Sequence, residues 1–191
     1  MGSSMSREFD VIIYGASGFT GRLVAEYMGK THGDSANWAM AGRNEAKLAE
    51  VRDLVGAPST TPLVTADASD SDSLRAMVKR AQCICTTVGP YQLYGSELVK
   101  LCAEEGTHYV DLSGEPGWMH EMIEKHAATA ASTGARIVHS CGFDSVPFDL
   151  GVYFLQEAAA KRFGAPMPRV RGRVRAMQGE FSGGTAASMG A

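Results

Sequence analysis

Short, nearly unbroken apolar runs alternate along this chain with longer stretches in which apolar side chains recur every three or four positions. The short runs Phe9–Tyr14, Trp38–Ala41, Leu63–Thr65, Ile84–Val88, Tyr109–Leu112 and Arg136–Ser140 are expected to be strands. A helix is expected after the glycine-rich turn Gly15–Gly21, through about Met28, and others over Asn44–Leu54, Ser71–Arg80, Ser96–Glu105 and Gly117–Thr133. The punctuation agrees with this division. Asp70 or Ser71 suits a helix N-cap, Gly106 stands where a left-handed C-terminal glycine belongs, and Gly89-Pro90 stops the fourth strand. Apolar strands separated by helices predict an α/β fold, a doubly wound parallel sheet of Rossmann type covered on both faces. Pro147–Phe163 reads as one more helix, closed by Gly164 and the prolines at 166 and 168. Beyond it, Arg169–Phe181 is strand-like and Gly183-Gly184-Thr185 suggests a turn into a helix, the beginning of a truncated second α+β domain.

Composition narrows the class without changing it. The chain has 191 residues, 45% hydrophobic and 20% charged, with a formal net charge of −3, so no basic field points to nucleic acid. No apolar run approaches the ~20 residues of a transmembrane helix, and the N-terminus lacks the regions of a signal peptide. Cys83, Cys85, Cys102 and Cys141 form no C-x-x-C pair, and the five histidines are scattered. Reduced, buried thiols in a cytoplasmic protein without a metal site are expected. Met1-Gly2-Ser3-Ser4 ahead of Met5 reads as a remnant of cloning.

Gly15-Ala16-Ser17-Gly18-Phe19-Thr20-Gly21 leaves a strand and opens a helix, the setting that gives such a loop chemical meaning. Gly15 permits the tight turn, Gly18 lets the backbone approach a pyrophosphate, and Gly21 allows close packing of helix on strand. The helix N-terminus offers unpaired N–H groups to the phosphates, with Ser17, Phe19 and Thr20 placed to add hydroxyl and backbone donors. After the second strand an NAD site wants a carboxylate for the ribose 2′-OH. This chain has Ala41-Gly42-Arg43-Asn44 instead, and the Arg43 fork suits a 2′-phosphate, with Lys47 one turn later adding charge. The expected cofactor is NADP. Asp67-Ala68 ends the third strand, as an adenine contact, a helix cap, or both. Val88-Gly89-Pro90 ends the fourth, either beside the ribose and nicotinamide or as a plain strand-ending turn.

With these segments aligned, the chain resembles the saccharopine dehydrogenase-like oxidoreductases, and within them the branch of the trans-acting enoyl reductases. The resemblance is carried in order by Tyr14–Gly21, Ala41-Gly42-Arg43, Val88-Gly89-Pro90-Tyr91 with Tyr94-Gly95, Tyr109–Glu115 and Cys141–Pro147. It covers almost all of residues 9–155. It implies an NADPH-linked reductase acting on a small-molecule or carrier-bound acyl substrate, with a second domain that carries much of the substrate site. The expected division is a tag remnant without order over 1–6, an NADP-binding Rossmann domain over 7–165, and the start of a substrate or dimerisation domain over 166–191. A homodimer is compatible with that division. The non-catalytic alternative is an NADP-binding sensor or interaction module. A short-chain dehydrogenase is disfavoured, because no Tyr here has Lys four residues on.

Reduction by hydride often needs a proton donor near the nicotinamide. Tyr91, Ser113, Glu115 and Asp144 all follow expected strands at the ligand edge. Tyr91 and Asp144 are the catalytic candidates. Asp144 also suits, and suits better, the cap of the helix that Pro147 begins, and Glu115 also suits a solvated loop. Arg169, Arg171, Arg173 and Arg175 share one face if their segment is a strand, either to hold an anionic substrate carrier or as a solvated sheet face.

Overall fold

The computed structural model describes residues 7–33, 35–176 and 178. In order these form β1 (Phe9–Tyr14), α1 (Phe19–His32), β2 (Trp38–Gly42), α2 (Glu45–Leu54), β3 (Leu63–Thr65), α3 (Ser71–Arg80), β4 (Ala81–Thr86), α4 (Tyr91–Tyr94), α5 (Ser96–Glu105), β5 (His108–Val110), α6 (Pro116–Thr133), β6 (Ile137–Val138) and α7 (Val146–Phe163). The strands make one parallel sheet in the order β3-β2-β1-β4-β5-β6. The order reverses at β1, which sends the helices to opposite faces and opens a crevice over the carboxyl ends of β1 and β4. The sheet tapers outward, from six residues in β1 and β4 to three in β3 and two in β6.

Alternation along β1 assigns the two faces. Ile13 packs with Ala25 of α1, Met40 of β2 and Leu48 of α2 on one side. Ile12 and Tyr14 pack with residues of α3, α5 and α6, among them Leu74, Leu98, Leu101 and Trp118, on the other. Both clusters are almost completely withdrawn from water, and at ~25 cal/mol per Å2 of apolar area they supply the main drive to fold. Local signals set the ends of the helices. Asp70 caps α3 by accepting from the N–H groups of Asp72 and Ser73, so of the two cap candidates it is the one used. Gly106 closes α5 at φ 67°, and Gly134 closes α6 at φ 82°.

Several expectations shift. The fourth strand begins at Ala81 and ends at Thr86, because Ala81 and Cys83 pair with Phe9 and Val11 of β1 despite the polar Gln82 between them. Helix α1 begins inside the glycine motif and runs to His32. The single turn α4, directly after the cis Gly89-Pro90 bond, was not expected. Residues 169–176 form no strand: Arg169, Arg171, Arg173 and Arg175 are exposed, and no neighbouring strand supplies the ladder hydrogen bonds a strand requires. The four guanidiniums therefore do not make a sheet face. The rest of the strand expected to Phe181, the Gly183–Thr185 turn and the N-terminal remnant lie outside the described residues. Of the thiols only Cys102 is fully buried; Cys83 and Cys85 are half-buried and Cys141 is exposed.

Candidate dinucleotide site

The glycine turn is built on contacts that admit no side chain. Gly15 has φ +89°, and a Cβ there would lie 2.8 Å from both Thr87 Oγ1 and Val88 Cγ2. A Cβ on Gly21 would fall 2.1 Å from the Gly15 carbonyl oxygen, so helix α1 rises directly against the turn that precedes it. The turn is fixed to the neighbouring strand by the Gly15 and Ala16 N–H groups, which donate to the Ala41 carbonyl at 2.9 and 3.1 Å. Gly18 is the N-cap of α1 and has no side chain to satisfy the first turn, which also carries no acidic residue. The N–H groups of Phe19, Thr20 and Gly21 are left to an outside acceptor, and the helix dipole favours an anion there. Phe19 is exposed and lines a separate hollow with Leu23 and Leu54, so what it offers at the turn is its backbone N–H.

Beside this turn lies a cleft of about 320 Å3 lined by Tyr14, Gly42, Arg43, Asp67, Ala68, Ser69, Val88, Gly89 and Tyr94. The carboxyl ends of β1 to β4 thus converge on one space. Arg43 is exposed, so its guanidinium is available to an anion. Asn44 caps α2 by accepting from the Lys47 N–H at 3.0 Å, which fixes the direction in which the chain leaves Arg43. Asp67 does not cap α3. Its carboxylate accepts from the N–H and hydroxyl of Ser69 at 2.9 and 2.7 Å, bonds that hold its pKa below the usual carboxylate range, with the charge of Arg43 acting in the same direction. Tyr14 forms the floor. Burial, reinforced by the charge of Asp67, pushes its phenol up to about 12, so it stays neutral below strongly alkaline pH. Pro90 follows the two cleft residues Val88 and Gly89 and stands at the N-cap of α4.

The structure separates the proton-donor candidates. Tyr91 is buried, its ring 5.5 Å from that of Trp118, and its hydroxyl donates to the Thr86 carbonyl at 3.3 Å. Burial also raises its pKa and keeps the phenol protonated, so in this structure Tyr91 sits inside the fold with its hydroxyl turned to the backbone of β4. Asp144 is exposed, and Ser145, not Asp144, holds the cap position of α7. Glu115 is not in solvent. It is buried and accepts from the N–H groups of Tyr91 and Gln92 at 2.9 and 2.8 Å, fastening α4 to the segment after β5. Ser113 is buried too, and its hydroxyl accepts from the Glu115 N–H at 3.2 Å.

Sequence reasoning missed Asp111. Its side chain is fully buried and its carboxylate accepts from Tyr109 Oη at 2.9 Å, the N–H groups of Ser113 and Ser140 at 3.0 and 2.8 Å, and His139 Nδ1 at 2.6 Å. These donors join the carboxyl ends of β5 and β6. The alternation of β5 places Asp111 on the same face as buried Tyr109, a signal that a carboxylate with several partners belonged there. Among the described residues no group of three or more His, Cys, Asp or Glu side chains is arranged to hold a metal ion, and no helix is long and apolar enough to cross a membrane.

Comparison with known proteins agrees with this geometry. The saccharopine dehydrogenase NADP binding domain family matches residues 11–138. A Mycobacterium tuberculosis protein provisionally described as a trans-acting enoyl reductase is 50% identical over 184 residues, which cover 96% of this chain and 44% of that protein. The trans-acting enoyl reductase of Mycobacterium leprae is 50% identical over 150 residues, 78% of this chain and 36% of that one. The chain therefore spans less than half the length of these relatives. Saccharopine dehydrogenase (L-Glu forming) from Saccharomyces cerevisiae shares the fold at a TM-score of 0.65 and 17% identity, over 82% of this chain and 32% of that chain. A crevice at the sheet reversal, a glycine turn closed to side chains and an arginine where an NAD site would carry an acid all meet the needs of a 2′-phosphorylated dinucleotide, and the chain belongs to the saccharopine dehydrogenase NADP-binding domain family.

Proposed function

We propose that residues 7–165 are the NADP-binding domain of a reductase of the trans-acting enoyl reductase type, that residues 166–191 open its substrate or dimerisation domain, and that the protein works in the cytoplasm on a carrier-bound acyl substrate. The reaction type rests on the 50% identity to mycobacterial enoyl reductases. The cofactor placement rests on one observation, the shared cleft of Arg43, Asp67 and Gly89 beside the bare N-terminus of α1.

Each part of the cleft has a defined task in this reading. The N–H groups of Phe19, Thr20 and Gly21 receive the pyrophosphate, with Ser17 and Gly18 shaping its approach. Arg43, steered by Asn44, takes the 2′-phosphate through charge-assisted hydrogen bonds. Asp67 and Ala68 border the adenosine, and Val88, Gly89 and Pro90 carry the chain past the ribose. NADPH, when bound, supplies the hydride for reduction of the acyl double bond. Of the two proton-donor candidates Tyr91 is buried, while Asp144 has an exposed carboxyl group on the loop before α7.

Calorimetric titration tests the cofactor assignment. NADPH should bind more tightly than NADH, and Arg43→Ala should remove most of the difference, about 1.5–3 kcal/mol or roughly tenfold and more. Equal affinity of the wild type for the two cofactors would sink it. For the reaction, NADPH oxidation is followed with the full-length protein and an enoyl thioester. Cofactor binding without turnover there would favour the sensor reading over the enzyme.

A further inference from the structure

We propose that Tyr94 is the aromatic wall of the purine subsite, stacking its ring on the adenine of the bound dinucleotide opposite Arg43. This rests on the NADP reading of the cleft and adds a specificity-determining residue to it.

The sheet order fixes which groups face one another. Arg43 leaves β2 and Asp67 leaves β3, on one side of β1. Val88 and Gly89 leave β4, on the other side, and Tyr94 follows them. All five line the same cleft together with Tyr14 of β1, the strand between β2 and β4, so Arg43 and Tyr94 reach it from opposite sides of β1. The pyrophosphate belongs at the N-terminus of α1 and the 2′-phosphate at Arg43. The adenosine ribose must bridge those two points. The base it carries is therefore held within this cleft, while the nicotinamide half runs toward the ends of β4 to β6.

Tyr94 is 47% exposed, while the turn that carries it is firmly fixed. Its backbone is held from three directions. Glu115 accepts from the first two N–H groups of α4, and the Tyr91 ring beneath packs on Trp118. Gly95, whose N–H donates to the Tyr91 carbonyl at 2.7 Å, lies so close to Trp118 that a Cβ would sit 2.7 Å from its ring. An exposed aromatic face on a rigid support, with a guanidinium opposite, matches a flat heteroaromatic base better than it matches water.

The test is calorimetric titration of the full-length protein with NADP+ and with adenosine 2′,5′-bisphosphate, which carries the purine half alone. Loss of an aromatic stack under a base corresponds to roughly tenfold in affinity. Tyr94→Ala should weaken both ligands by about that factor, Tyr94→Phe should restore both, and thermal melting without ligand should be the same for all three proteins. Unchanged affinity of Tyr94→Ala for the bisphosphate overturns the proposal and leaves the cofactor reading standing. A ligand-free melting temperature lowered in step with affinity also overturns it, by showing that Tyr94 supports the fold. Failure of the wild type to bind either ligand overturns the cofactor reading and this inference with it.

Discussion

The two ends of one sheet face are covered differently. Over β1, β2 and β3, helices α1 and α2 seal the face, and Ile13, Met40 and Leu48 are fully buried beneath them. Register carries the same face across to Cys83 and Cys85 of β4, Val110 of β5 and Val138 of β6. There no helix seals it: the two cysteines and Val110 are only half-buried, and Val138 is exposed. Helix α7 shows the complementary condition. Only Ala159 is buried along it, while Phe148, Leu150, Tyr153, Phe154 and Leu155 face solvent. A helix apolar on every side is one that normally ends up buried. The comparison teaches that the dinucleotide half of the molecule is self-sufficient in packing. The β4–β6 half is sealed on the α5 and α6 side alone.

If that contrast is energetic, variants should grade accordingly. The greatest loss is expected from Asp111→Ala, which strips the acceptor from Tyr109, His139 and two backbone N–H groups inside the structure. Breaking such a buried constellation costs about 3–5 kcal/mol, read as a lower urea midpoint. Leu101→Ala, a fully buried residue of α5, should cost about 2–5 kcal/mol by the same measurement. An alkaline loss should follow. Burial pushes the thiols of Cys83 and Cys85 up to about 11 and the Tyr14 phenol up to about 12. The unfolded chain therefore ionises first, so stability is full below the ordinary thiol range and falls as pH rises through about 11 to 12. Cys83→Ser with Cys85→Ser should flatten the thiol part of that decline in unfolding midpoints measured against pH. The smallest effect is expected in α7, where Leu155→Ala should stay within about 0.5 kcal/mol in this chain. A Leu155→Ala loss as large as that of Leu101→Ala would abolish the distinction between the two regions.

The sequence was legible wherever a signal is local. Periodicity found six strands and the main helices because each βα unit writes its own pattern, and Gly15-x-x-Gly18-x-x-Gly21 with Arg43 pointed to the cleft proposed for the cofactor because turn geometry and charge sit within a few residues. What escaped depends on distant partners. Glu115 looked like a solvated carboxylate because its acceptor role is defined by N–H groups more than twenty positions earlier in the chain. Asp111 is defined by His139 and Ser140, just past a strand that follows an 18-residue helix. The start of β4 was missed because Gln82 interrupts its apolar run while pairing with β1 holds it in the sheet. The arginine alternation after 168 imitated a strand, but alternation does not supply a neighbour to pair with.

The taper of the sheet also bears on how the protein behaves in a crowd of its own copies. An outer strand offers a row of unpaired backbone groups, and a long one is a template for another chain to extend. Among the described residues the outermost strands are β3 with three residues and β6 with two, so each rim presents a very short row of free donors and acceptors. Edge-to-edge polymerisation has almost nothing to grip at either rim. Whatever adhesion this chain shows should come from the oily surface of α7 and should yield to mild detergent, instead of growing as β-rich fibrils.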